Sequence, residues 1–315
     1  MRNRKLLVTA FGTLVGLVAA AFVVRTLLVE WDGTKEALSG ASWSWMFLSL
    51  ILATAAMVAV AWVWADVVAA LESRHHNRGD FVARYFVGEL GKYLPGGIWT
   101  VVGRAELARR IGIRRSVAYG SVALSLITLY LAAAGLATAL LPFSLASSNS
   151  EGSDLRAIFG IGIVLIGGLV VLHPKTLNYV VGIAERIGKR PINVAIPPGR
   201  TMTILVLRYV PAWLGIAASS YAVARALTPE VSMPKVALAT LASWIAGFIA
   251  VPVPAGGGVR EAVFLALCGL PAGIGAAVAL ISRLLFVVVD AIGAGAGSLM
   301  LRRSTTPSPL STEQF

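Results

Sequence analysis

The sequence predicts an all-α integral membrane protein. It reads as about six full transmembrane helices plus two re-entrant broken-helix regions that form an inverted repeat. Three observations predict this. Of the 315 residues, 57% are hydrophobic and 13% charged, whereas a soluble domain is about half apolar and about a quarter charged. Apolar stretches of bilayer-crossing length, about 20 residues, recur along the chain, and the mean hydropathy is +0.80. Two apolar stretches are interrupted by a Pro/Gly cluster with an Arg behind it, in LPGGIWTVVGRAE and VPAGGGVREA.

The elements follow in chain order. The first span covers Leu6–Val29. It opens like a secretory signal, with Arg2, Arg4 and Lys5 before an apolar run, but the run is longer than a signal's apolar region. It is therefore expected to stay as a helix. The second span covers Trp45–Leu71, with Trp43 and Trp45 as interface anchors. A broken region covers Phe81–Val102. The third, fourth and fifth spans cover Val117–Leu141, Leu155–Leu172 and Thr201–Leu227. A second broken region covers Val236–Leu270, and the last span covers Ala272–Leu301. Residues 1–303 form one membrane domain. The Pro/Ser-rich end, 304–315, reads as a disordered polar tail.

Charge assigns the sides. Basic residues cluster at Arg2, Arg4 and Lys5, at Arg74 and Arg78, at Arg109, Arg110, Arg114 and Arg115, between Lys175 and Arg200, and at Arg302 and Arg303. The loops Ser147–Asp154 and Thr228–Pro234 carry none. Basic loops stay in the cytoplasm, so both termini are expected there. The first broken region then leaves and returns on the inner side, and the second on the outer side. Opposite topology with similar sequence is the mark of inverted repeats in transporters.

The two interruptions have a physical reading. Proline removes a backbone donor and glycine loosens a helix. Non-helical backbone at membrane depth is tolerated only inside protein or beside a water-filled cavity. A broken helix exposes unpaired N–H groups that attract anions, and an arginine beside them grips a phosphate through two parallel bonds. Pro95, Gly96, Gly97 and Arg104 mark the first such place. Pro252, Pro254, Gly256, Gly257, Gly258 and Arg260 mark the second. Arg208, Glu261, Arg283 and Asp290 also fall in apolar segments, where a charge is costly and usually paired. Arg283 and Asp290 are two helical turns apart and share a face. Arg260, Arg283 and Arg104 are candidates for a lipid phosphate. The other reading pairs Arg260, Glu261, Arg283 and Asp290 among themselves. Glu89 and Lys92 either line the inner mouth or form a local ion pair. Gly293 and Gly297 form a Gly-x-x-x-Gly pair, for packing within the chain or for a homodimer.

The formal charge of +12 fits inner loops rather than a nucleic-acid partner, because no separate soluble domain carries a basic patch. His75, His76 and His173 lack metal-ligand spacing, and no cofactor is expected. A lone Cys268 rules out an intramolecular disulfide. No nucleophile–base pair or paired carboxylates suggest an enzyme.

VPVPAGGGVREAVF resembles the signature of the lysylphosphatidylglycerol synthase transmembrane, or flippase-like, family. GKYLPGGIWTVVGRAELARR resembles that family's first re-entrant motif, and the likeness runs over Leu6–Leu301. Pro254, Gly256, Gly258, Arg260 and Glu261 match the second motif, and Pro95, Gly96 and Arg104 the first. Trp99 and Thr100 stand where many members have a Gly-acid pair, and the third span lacks the arginine many members carry there. The resemblance implies a bacterial cell-membrane protein that moves an anionic phospholipid between leaflets. The alternatives are transport of a polyprenyl-phosphate-linked sugar, or an accessory role for a separately encoded lipid- or glycan-synthesis enzyme. Without the soluble aminoacyl-transfer domain of bifunctional members, synthesis of lysylphosphatidylglycerol is not expected.

Overall fold

A computed structural model of the chain describes residues 38–72, 77–93, 98–145, 197–250 and 256–304, together with Leu28, Trp31 and Lys35. Helix accounts for every regular element among them. In order these are α1 (Trp43–Glu72), α2 (Arg78–Glu89) with a 3-10 turn (Leu90–Tyr93), α3 (Trp99–Arg109), α4 (Arg115–Leu145), α5 (Gly199–Leu227), α6 (Met233–Ile249), α7 (Val259–Leu267) and α8 (Ala272–Ser304). The expected first and fourth spans, the tail beyond residue 304, and Pro95, Gly96, Gly97, Pro252 and Pro254 lie outside the described residues, Leu28 apart.

Four helices, α1, α4, α5 and α8, are long and apolar enough to cross a membrane. The protein is an integral, multi-pass, all-helical membrane protein. These helices outrun the expected spans at one or both ends, because a helix is the cheapest way to pair backbone groups near lipid. α4 runs on past Pro142, and α5 continues through Pro211.

The other helices come in two packed pairs, α2 with α3 and α6 with α7. α2 has 12 residues, α3 has 11 and α7 has 9. At 1.5 Å per residue these are about 18, 16 and 13 Å long, short of an apolar core about 30 Å thick. With 17 residues, α6 reaches about 26 Å.

Small residues bring the long helices together. Where α1 crosses α5, Ser49 Oγ donates to the Ser219 carbonyl at 2.9 Å and Ser219 Oγ donates to the Ser49 carbonyl at 3.0 Å. Gly215 lies against Ala56 one turn away. Along α8, a Cβ on Gly293 would enter the Phe86 ring, and one on Gly297 would lie 2.7 Å from the Ala83 carbonyl oxygen. The Gly-x-x-x-Gly pair thus seats α8 on α2 within one chain. Trp64, Trp213, Tyr209 and Phe81 are fully buried between these helices.

Candidate functional site

The second motif opens α7. Gly256 and Gly258 have φ of +64° and +80°, a conformation that side chains resist. Gly256 also needs its bare Cα for space: a Cβ there would lie 2.6 Å from the Gly247 Cα on α6. The sharp turn leaves α7 starting inside the protein. Its first-turn acid, Glu261, is 4% exposed. Glu261 Oε2 accepts from the Gly258 N–H at 2.6 Å, and Oε1 accepts from Arg283 Nη1 on α8 at 2.5 Å. One carboxylate therefore caps α7 and ties it to α8.

Arg260 is arranged differently. Its guanidinium lies over the Trp244 ring, 3.9 Å from the centroid, in a cation–π contact. Its methylenes fill the space above Gly247, where a Cβ would lie 2.6 Å from Arg260 Cδ. It makes no hydrogen bond or ion pair to the described residues. Ser220, Thr240, Ser243 and Ser282 line the small cavity beside it, which has a volume of about 20 Å³, room for about one water. Ser282 Oγ is buried there without a hydrogen-bond partner among the described residues. Aromatic rings wall the site: Trp244 meets Trp213 and Phe286 edge-on, and Tyr130 stacks on Phe248 at 4.0 Å.

The first motif repeats this arrangement in part. Arg104 on α3 lies over the rings of Tyr85 at 4.6 Å and Trp64 at 4.5 Å. Gly88 makes room, since a Cβ there would lie 2.7 Å from Arg104 Cγ. In both helix pairs an aromatic residue, a glycine three positions later and a distant arginine meet: Tyr85, Gly88 and Arg104, then Trp244, Gly247 and Arg260. Tyr85 and Trp244 each stand ten positions before the motif proline, and Gly88 and Gly247 seven before it. The two arginines differ in access. Arg104 is 2% exposed, and its Nη2 donates to Ser125 Oγ at 3.0 Å while Nε has no partner among the described residues. Farther along α3, Glu106 accepts from the Tyr119 hydroxyl of α4 at 2.7 Å, and Arg109 approaches it at 2.7 Å. That hydroxyl bond first, and the guanidinium after it, hold the Glu106 carboxyl below its usual range.

Asp290 on α8 does not pair with Arg283 or Arg260. Its side chain is fully buried, and Oδ2 accepts from the Tyr93 hydroxyl at 2.6 Å and lies 2.7 Å from Lys92 Nζ. Lys92 also reaches Glu89 at 3.5 Å, so the local ion pair forms and Asp290 joins it. Asp290 Oδ1 and Glu89 Oε2 are buried without a hydrogen-bond partner among the described residues. The mutual pairing of four charges thus reduces to Arg283 with Glu261. Helix packing explains the rest: α8 faces the tip of the first helix pair at Asp290 and α7 at Arg283. Arg208 pairs with Asp66 at 2.8 Å, which also takes Arg78 at 2.7 Å.

Sequence reasoning missed Trp64, Tyr85, Tyr93, Ser125 and Trp244. A signal for two of them was present: extending the comparison of the motifs upstream of the prolines aligns Tyr85 with Trp244. Trp64, Tyr93 and Ser125 had no such mark.

Long apolar helices around two ring-stacked arginines, Arg104 buried and Arg260 part-buried, define a polytopic membrane protein with a charged interior. The family model described as the lysylphosphatidylglycerol synthase TM region matches residues 10–294, and the chain belongs to that family. No curated protein matches it.

Proposed function

We propose that this protein moves a phosphate-bearing anionic lipid between the leaflets of the cell membrane, and that Arg260 receives the phosphate. The observation that carries this is Arg260 itself. It is a cation at the start of α7, stacked on Trp244, with no ion pair to a carboxylate among the described residues. Of the charges at the two motifs and their contacts, Glu89, Glu261 and Asp290 are negative, and Lys92, Arg104, Arg260 and Arg283 are positive. An anion would neutralise the excess. The cavity of about 20 Å³ is too small for a phosphate, so the helix pairs must part to admit one. An apolar groove of about 530 Å³ between α1, α2 and α8, walled by Trp62, Phe86, Ile292 and Met300, suits the lipid's hydrocarbon chain.

In this reading the two helix pairs are re-entrant from opposite faces, as their lengths and matched aromatic–Gly–Arg sets suggest, and alternate in exposing their arginines. The basic turn between α3 and α4 faces the cytoplasm.

The test is translocation of fluorescent phosphatidylglycerol in reconstituted vesicles, with thermal stability in detergent measured alongside. Arg260→Ala should stay folded and lose translocation. Arg260→Lys should recover part of it, since an ammonium keeps the charge but loses the two-pronged grip. A stable Arg260→Ala protein with unchanged translocation overturns the assignment. Native mass spectrometry of the purified protein would name the bound lipid.

A further inference from the structure

The apolar groove between α1, α2 and α8 is charged at one end only. We propose that this end is a headgroup site of its own, separate from Arg260. There Arg78 and Arg208 hold the phosphate of a net-anionic phospholipid whose acyl chain lies in the groove.

The groove has the length of one leaflet. Its wall runs from Leu50 to Trp62 along α1 and from Val289 to Met300 along α8. At 1.5 Å per residue these stretches are about 18 and 16 Å long, near half of a hydrocarbon core about 30 Å thick. Thr54 is the one hydroxyl in the lining, and it donates to the Leu50 carbonyl at 2.8 Å. The walls therefore suit a hydrocarbon chain and offer little to a polar occupant.

The two ends differ. One turn beyond Trp62, α1 presents Asp66, and Arg78 directly precedes Gly79, where the α2 wall begins. Arg78 Nη2 reaches across to Asp66 Oδ1 at 2.7 Å, and Arg208 Nη1 of α5 meets Oδ2 at 2.8 Å. The α8 wall ends at Met300, against Gly79, and the exposed Arg303 follows one turn later. One carboxylate thus carries two guanidiniums, an excess of one positive charge. Both arginine side chains are about half exposed, at 56% and 50%, and a guanidinium has donors to spare beyond one bond to a carboxylate. The nearby Asp80 is engaged by Arg84 at 3.8 Å. At the other end the walls are Leu50 and Val289, and Asp290 beside Val289 turns inward to Tyr93 and Lys92. A chain laid in the groove with its headgroup at the arginines leaves no polar group in the apolar part. In the orientation proposed above this end faces the cytoplasm, so the site loads lipid from the inner leaflet. The chain's place in the groove rests on the transport reading; the headgroup anchor does not.

Trp62 reports on the groove, since it stands in the wall and is 48% exposed. The full chain is reconstituted in phosphatidylcholine vesicles containing an equal fraction of acyl-brominated phosphatidylglycerol or acyl-brominated phosphatidylcholine. Bromine quenches tryptophan on contact, and the Trp62 share is the difference from Trp62→Phe. Wild type should prefer phosphatidylglycerol about fivefold, as expected for one basic charge at a membrane surface. Arg78→Gln and Arg208→Gln should each bring the ratio toward one. Asp66→Asn, which releases both guanidiniums, should raise it, whereas a merely structural ion pair would not. Ala296→Phe, which sets a ring in the groove from an exposed position, should remove Trp62 quenching by both lipids. Equal quenching by the two lipids in wild type marks an ordinary surrounding lipid only and overturns the site. A preference that both Gln variants keep, a ratio that Asp66→Asn fails to raise, or quenching that Ala296→Phe leaves unchanged also overturns it. Arg260→Ala should keep the preference, and its loss there overturns the separateness of the two sites. A preference without wild-type translocation overturns the transport reading and leaves this site supported. Translocation without a preference overturns this site alone.

Discussion

Gly88 and Gly247 each forgo a side chain so that an arginine can lie over an aromatic ring. The two should not respond alike to alanine. At Gly88 the new Cβ would meet the Arg104 backbone, 2.8 Å from its nitrogen and 2.9 Å from its Cα. Backbone cannot swing aside, so the helices must part, and overpacking of this kind costs about 1–3 kcal/mol. At Gly247 the obstacle is the Arg260 side chain, which can leave Trp244 by rotation. Gly88→Ala should therefore lower the melting temperature in detergent. Gly247→Ala should keep most of its stability and lose translocation. Equal stability losses in the two variants would contradict this account of the Arg260 side chain.

At the level of elements, α8 is pinned at two heights by charges of opposite sign, Arg283 to α7 and Asp290 to the tip before α3. Glu261 does two things at once, capping α7 and pairing with Arg283. Glu261→Gln separates them, because the amide oxygen can still accept from the Gly258 N–H while the negative charge is gone. Stranding one partner of a buried pair costs about 3–5 kcal/mol. Arg283 is 27% exposed, so the loss should fall at or below the lower end of that range. Glu261→Gln with Arg283→Met should be more stable than Glu261→Gln alone. Additive losses in the double variant, measured by thermal unfolding, would show that the pair does not hold α7 to α8.

For the whole molecule, sidedness is the decisive property, since the proposed lipid transport would reach the two unlike arginine sites from different faces. The turn at Arg109–Arg115 is basic, and the loop between α5 and α6 carries only Glu230 as a charge. In a Cys268→Ser background, Glu230→Cys should react with an impermeant thiol reagent in intact cells. Arg110→Cys should react only after the membrane is opened. Both positions are exposed, so lack of access within the protein would not explain a failure. The reverse pattern would invert the orientation and exchange the faces from which the two arginines are reached.

The sequence by itself determined the class of protein, the four long helices among the described residues, the places where helix breaks between them, and which charges lie in apolar surroundings. Each is a local property. A run of apolar residues, a Pro/Gly cluster or an isolated arginine declares itself within about 20 residues. Only the tertiary structure decided the partners. Asp290 meets Tyr93 across 197 positions, and Arg104 rests on Trp64 from another helix. Arg283 takes Glu261 although Asp290 is nearer along the chain. Helical periodicity places Arg283 and Asp290 on one face of α8, but it cannot say which helix that face meets. Small residues such as Gly293 and Gly297 settle that by how closely they let α2 approach. A charge buried by that packing then pairs with whatever the neighbouring helix presents at its height.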